Sequence, residues 1–298
     1  MTMPYPKQPT RGANKAFAWR QSVRVNRILG KIVIYTLLIA GGALFSIPFF
    51  WMVTTSLKTM GQILRFPPVW IPMPMQWENY QRAWEYLPFA RFVMNTLTVT
   101  GLSTLGFLLS SSLVAFGFSR LRFAGRDTLF MLVLATMMLP GQVTLIPQFI
   151  LFQRLGWLNS LRPLIVPSYF GSAFYIFLLR QFLLTLPVEL DEAARIDGAS
   201  TFKIFWTIIL PLARPALATI AIFAFIFNWN DFFGPLIYLM SPEKMTIAVG
   251  LQLFRGRFST EFNILMAAST MAILPVLVVF FFTQKTFVQG IALTGIKG

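Results

Sequence analysis

Long stretches of this chain carry no charged side chain. Residues 32–57, 92–119, 128–153 and 262–284 are uncharged and predominantly apolar. A helix needs about 20 such residues to cross the hydrocarbon of a bilayer, so each stretch predicts a transmembrane helix. Two further runs are less clean. Residues 163–179 end at Arg180, whose stem can carry its charge out from a helix end. Residues 215–242 are apolar apart from Asp231. The pattern predicts an all-α membrane protein with six transmembrane helices, and an even number puts both termini on one side. Pro140-Gly141 and Pro147 interrupt the third run, Pro235 the fifth and Pro275 the sixth. Such breaks free backbone carbonyls and serve as hinges or as packing kinks, facing a cavity or a neighbouring helix.

The basic residues cluster at the ends of the apolar runs and decide orientation. Before the first run stand Lys7, Arg11, Lys15, Arg20, Arg24, Arg27 and Lys31. The same side receives Arg120, Arg122, Arg126, Arg180, Arg195, Lys203, Arg214, Lys285 and Lys297. The other side has nine: Lys58, Arg65, Arg82, Arg91, Arg154, Arg162, Lys244, Arg255 and Arg257. The richer side is expected to be cytoplasmic. Both termini are therefore read as cytoplasmic: a basic tail over 1–31, a membrane domain over 32–284 and a second tail over 285–298. A cleaved signal peptide is not expected, because the first apolar run follows that long basic tail. The outward segment 58–90 is rich in proline and tryptophan, as in "RFPPVWIPMPMQWENY". It suits an interfacial connector or a contact for an external partner.

Composition agrees with the pattern. Of 298 residues 56% are hydrophobic and 12% charged, about half the charge of a soluble chain, and the mean hydropathy is +0.67. The net charge of +15 sits at span ends rather than in a stripe, so a nucleic-acid partner is not expected. There is no cysteine and no histidine, which removes disulfides, thiol nucleophiles and imidazole chemistry. No catalytic constellation and no metal site is expected. No phosphate-cradling "GxxxxGK[ST]" occurs, so any ATP-driven work needs a separate subunit.

One loop stands out. Four of the ten acidic residues, Glu189, Asp191, Glu192 and Asp197, lie close together between the fourth and fifth runs. Pro187 suits a first helical position, and the acids then fall where the helix dipole favours them. Asp191 and Arg195 are spaced to pair along one helix. Gly198 is placed to end that helix in a left-handed conformation, and Ser200 to cap the next. Phe202, Phe205, Trp206 and Ile209 then follow helical spacing as one apolar face. Ala193 and Ala194 form a small-residue face open to close approach. An anionic membrane surface would repel the acidic cluster, so a protein partner is the better recipient.

The loop also resembles a known family. Glu192-Ala193-Ala194, then Gly198, then Ile208 and Leu210-Pro211 match the cytoplasmic loop of permease subunits of bacterial and archaeal ABC importers. "WNDFFGPLIYL", "LPGQVTLIPQFILFQRLGWLNS" and the terminal "GIKG" resemble the carbohydrate-uptake branch, in its MalG-like half. The resemblance covers nearly everything after residue 31. It implies the type I ABC importer permease fold in a multi-pass protein of the cytoplasmic membrane. It also implies that loop 185–214 docks on a cytoplasmic ATPase, with Glu192, Ala193, Ala194, Asp197, Gly198, Ile208, Leu210 and Pro211 as the coupling residues. The implied partners are two ATP-binding cassette subunits, a second and different permease (MalF-like), an extracytoplasmic solute-binding protein, and a carbohydrate. No cofactor is expected on this chain, ATP and Mg belonging to the ATPase subunits.

Within the spans Asp231 is the only carboxylate, and an intramembrane ionisable group is a functional candidate. With Asn228 and Asn230 it offers hydrogen bonds to a sugar, part of a gate, or a helix-packing network. The competing function is an ion- or proton-coupled secondary transporter of a small solute. Such proteins usually carry several intramembrane carboxylates or histidines.

Overall fold

The computed structural model describes residues 11–254 and 261–295, with side chains over 28–254 and 261–284. Lys7, Arg255, Arg257, Lys297 and the last three residues of the terminal "GIKG" lie outside the described residues. Among these residues every regular element is helical. The chain divides into two units, residues 1–54 and 55–298.

The described residues of the first unit, 11–54, belong to a single helix. α1 (Arg11–Ser56) continues the basic segment into the first apolar run without a break, and Pro48 lies inside it. From Ile32 to Phe50 its large apolar side chains are exposed, as on a helix whose solvent is lipid.

The second unit begins with the proline- and tryptophan-rich segment. Thr59 and Gln62 form a reciprocal capping box around α2 (Met60–Ile63). α3 (Glu78–Tyr86) follows. Its Asn79 is buried and donates to the carbonyls of Ser56 (2.8 Å) and Lys58 (3.0 Å), while accepting from Asn263 (3.0 Å). α4 (Phe89–Arg120) is the pillar of this unit and packs on five of the later helices. Its small residues let other chain come close. Ser103 donates to Leu164 O and Ser110 to Ser168 O, both at 3.0 Å. A Cβ on Gly106 would collide with Ser168 Oγ.

α5 (Arg126–Ala135) and α6 (Gly141–Arg154) are bent by 96° at the break holding Pro140. Pro147 lies inside α6. α7 (Arg162–Ile165), a 3-10 turn over Val166–Phe170 and α8 (Ala173–Leu183) make the fourth run. α9 (Glu189–Ile196), α10 (Thr201–Ile204) and α11 (Leu210–Leu212) build the acidic loop. α12 (Arg214–Trp229) and the short α13 (Phe233–Tyr238) share the fifth run. α14 (Ile247–Gly250) leads to α15 (Phe262–Gly295), with Pro275 inside it.

Four described helices are long and apolar enough to cross a membrane: 28–56, 89–120, 162–183 and 262–284. The third run passes only as the bent pair α5–α6. The fifth passes only as α12 joined to Thr201–Leu212 at 75°. The apolar run read as one helix over 215–242 is therefore shorter and broken, with Asp231 in the break.

Two larger cores and a smaller one of Phe118, Phe130 and Ile176 hold the second unit. One of the larger joins Phe116 of α4, Leu179 and Leu183 of α8, Ala194 of α9, and Ile204, Phe205 and Ile209 after it. The other joins Phe89, Phe92, Trp229, Ile247 and Ile264.

Candidate functional site

The caps of the loop before α12 lie where its sequence places them. Three acids occupy the first turn of α9 and Arg195 the last, complementing the helix dipole at both ends. The helix starts at Glu189, with Val188 rather than Pro187 at its entry. At the other end Ala199 N donates to Ala194 O (2.9 Å) and Gly198 N to Arg195 O (3.0 Å). These two bonds make a Schellman turn, and Gly198 supplies its left-handed residue with φ +80°. Ser200 Oγ then accepts from Lys203 N at 3.3 Å and opens α10.

After Ile204 the helix widens into a π-turn over Phe205–Ile209. The widening lies directly before Pro211, whose ring would press on the carbonyl of Thr207 in a regular α-helix. It also rotates the apolar face. Ile204, Phe205 and Ile209 are buried, whereas Phe202 (63%) and Trp206 (44%) point outward. The apolar face expected from regular helical spacing is corrected accordingly.

α9 has two faces. Asp191 and Ala194 are turned inward, while Glu192, Ala193, Asp197 and Gly198 are exposed. Only Ala193 of the alanine pair is thus on the open face; Ala194 packs in the core. Ile196 is 86% exposed and falls one turn after Glu192 on that open face. The sequence reading missed it. Ile208, Leu210 and Pro211 are half-buried, the first two against the core beneath the loop.

Asp191 does not pair with Arg195. It meets Arg120, the last residue of α4, with Nε to Oδ2 at 3.6 Å and both side chains almost wholly buried (3% and 2% exposed). Arg120 Nη2 also donates to Leu183 O and Leu186 O, each at 2.9 Å, holding carbonyls at the end of α8. In return Arg180 of α8 donates from Nε to Phe118 O of α4 (3.3 Å) and lies 4.1 Å over the Phe130 ring. Phe116 and Phe205 touch with ring centroids 5.1 Å apart. Arg120 had counted only as a topology charge in "RLRFAGR", because nothing along the chain marks a partner on another helix.

The second candidate group separates. Asn228 is buried and donates to Ala224 O (2.7 Å). Asn230 donates to Ile226 O (2.8 Å) at the end of α12. Asp231 Oδ1 accepts from Gly234 N (3.2 Å) at the start of α13. Asn230 and Asp231 share a shallow groove with Ile226, Phe227, Phe232 and Phe233; Asn228 does not line it. Asn230 and Asp231 bond backbone at the break between two helices, whereas Asn228 bonds a carbonyl inside α12. Among the described residues no cluster of acidic side chains could hold a metal ion.

Comparison with known proteins supplies the class to which this helical chain and its anchored acidic loop belong. Residues 103–292 match the family described as binding-protein-dependent transport system inner membrane component. The chain belongs to that family. It is 33% identical over 258 residues to the melibiose/raffinose/stachyose import permease protein MelC of Bacillus subtilis, covering 85% of this chain and 91% of that protein. Likewise it is 33% identical over 261 residues to the arabinooligosaccharides transport system permease protein AraQ of the same organism, covering 86% and 92%. Among solved structures, one chain of a bacterial ABC transporter involved in the import of the acidic polysaccharide alginate superposes with a TM-score of 0.79. That match has 26% identity and covers 89% of this chain and 98% of that one. The protein is thus an inner-membrane permease component of an ABC transport system, and not an enzyme.

Proposed function

We propose that this chain is the membrane-spanning translocation subunit of an ATP-driven carbohydrate importer in a bacterium or archaeon. In this reading it crosses the membrane six times with both termini in the cytoplasm, and loop 185–214 receives the motion of a separate ATPase. Tail 1–31, membrane domain 32–284 and tail 285–298 keep their expected roles. The observation that carries the reading is the two-faced α9. Glu192, Ala193, Asp197 and Ile196 form an open face of mixed charge and apolar surface, while the underside is locked into the core. A charged residue beside a small one and an exposed apolar one suits docking into a partner's cleft better than contact with lipid headgroups. Carbohydrate as cargo is supported by what MelC, AraQ and the alginate transporter are described as importing. Two ATP-binding cassette subunits holding ATP and Mg, a second permease and an extracytoplasmic solute-binding protein complete the proposed assembly. The groove at Asn230 and Asp231 is its candidate pathway or gate contact, with Asn228 buried behind it.

The chain has no native cysteine, so the test is direct. An Ala193→Cys variant in native-like membranes, alkylated with a short maleimide that carries a photoreactive group, is expected on illumination to trap a Walker-motif ATPase that is identified by mass spectrometry. The chain should also purify with that ATPase and a second permease in mild detergent. Purification alone, from membranes where it still transports, would return the secondary transporter to favour.

A further inference from the structure

The Arg120–Asp191 pair does something that neither the loop's docking face nor the fifth run accounts for. It joins the end of α4 to the first turn of α9, and Arg120 at the same time holds two carbonyls at the end of α8. Burying an ion pair costs more than packing apolar side chains in the same volume, so fold stability alone is a poor reason for it. The pair is also incomplete. At 3.6 Å the Nε–Oδ2 contact is too long for a hydrogen bond, and Arg120 Nε and Asp191 Oδ1 are buried without a hydrogen-bond partner. Buried polar atoms are nearly always paired. A shift of under about 1 Å would bring Nε within hydrogen-bond reach of Oδ2 and complete that contact.

Resting on the reading of the loop as the ATPase's docking element, we infer that the Arg120–Asp191 pair ties α9 to α4 and carries loop displacement into that span. Motion then enters the membrane by two routes. One runs through the π-turn into α12. The other runs through Arg120 into α4 and α8, whose cytoplasmic ends are cross-tied by Arg120 and Arg180. Phe116 against Phe205 gives both routes a common bearing. Arg120 and Asp191 are positioning residues, since both lie beneath the docking face.

The test uses the reconstituted transporter and compares Asp191→Asn with the double variant Arg120→Gln/Asp191→Asn. Three quantities are read: ATPase bound to the complex, ATP hydrolysed, and solute transported. The single variant leaves a buried arginine unpaired and is expected to lose stability. The double variant leaves no unpaired charge and should regain it. In both, ATPase binding stays, because Glu192 and Ala193 are untouched. Transport per ATP is expected to fall about 5-fold or more, the lower end of ordinary coupling between sites. Recovery of transport per ATP together with stability in the double variant overturns the proposal and leaves the pair a packing device. Absence of a bound ATPase from the parent complex instead removes the docking reading beneath it.

Discussion

At the level of single residues, what was legible depended on how far away the partner lies. Gly198 and Ser200 announce themselves because their partners are a few positions off along the same loop. The left-handed φ of +80° and the bond to Lys203 N are where the sequence puts them. Asp191 announces nothing, since its partner Arg120 stands on another helix and its spacing to Arg195 offers a local decoy. Gly198 makes a clean experiment because a Cβ there would meet nothing within 4 Å. The cost of Gly198→Ala is therefore backbone strain alone, about 1–2 kcal/mol. Such strain opens the Schellman turn without touching the core. Membrane insertion and yield are expected to stay near the parent's, while uptake falls. Uptake at the parent's rate in a correctly inserted Gly198→Ala protein would mean that the bend between α9 and α10 carries no motion.

Elements were legible where one period held and misread where it changed. The apolar face assigned to Phe202, Phe205, Trp206 and Ile209 assumed 3.6 residues per turn. The π-turn before Pro211 widens the spacing, so Ile204, five positions before Ile209, is buried with it and with Phe205, while Phe202 and Trp206 face outward. Hydropathy also gave no sign of how the connections after α6 and α13 join. Asn159, with φ of +54°, donates its backbone N–H to Tyr238 O (2.8 Å). Its Oδ1 accepts from Met240 N (3.1 Å) and Ser241 N (3.0 Å), and its own carbonyl accepts from Lys244 Nζ (2.6 Å). One side chain thus clasps the connection after α6 to the one after α13. Asn159→Ala should cost about 1–3 kcal/mol from the two orphaned amides, plus the strain of positive φ on a residue without asparagine's tolerance for it. Asn159→Gly loses the same acceptor and none of the backbone freedom. Glycine is therefore expected to be the milder variant, by about 1 kcal/mol or more, in a thermal-unfolding comparison in detergent. Equal losses would show that the φ is not held at that value in the folded protein.

For the whole molecule the open question is whether each bent pair is a crossing or a re-entrant loop. Charge asymmetry gave the expected sides, and uncharged length gave the expected runs, yet neither could reveal a 96° bend at Pro140. α4 serves as a ruler. Arg120 at its end holds Leu183 O, and Ser103 holds Leu164 O. At 1.5 Å per residue those two levels are about 26 Å apart along the axis. The chain leaves the Arg120 level, passes through α5 and α6, and arrives near the Ser103 level before α7. A re-entrant loop would return it to where it began, so the geometry favours a crossing. Asn95, higher still on α4, donates to Glu243 O and Met245 O, each at 2.9 Å, which puts the connection after α13 at that far end as well. Single cysteines in this cysteine-free chain test both pairs with a membrane-impermeant thiol reagent. Arg122→Cys and Lys203→Cys are expected to react only from the cytoplasmic side. Arg65→Cys, Arg154→Cys and Lys244→Cys are expected to react only from the other. If Arg122→Cys and Arg154→Cys react from the same side, α5–α6 is re-entrant. The chain would then cross five times, and its two ends would lie on opposite faces of the membrane.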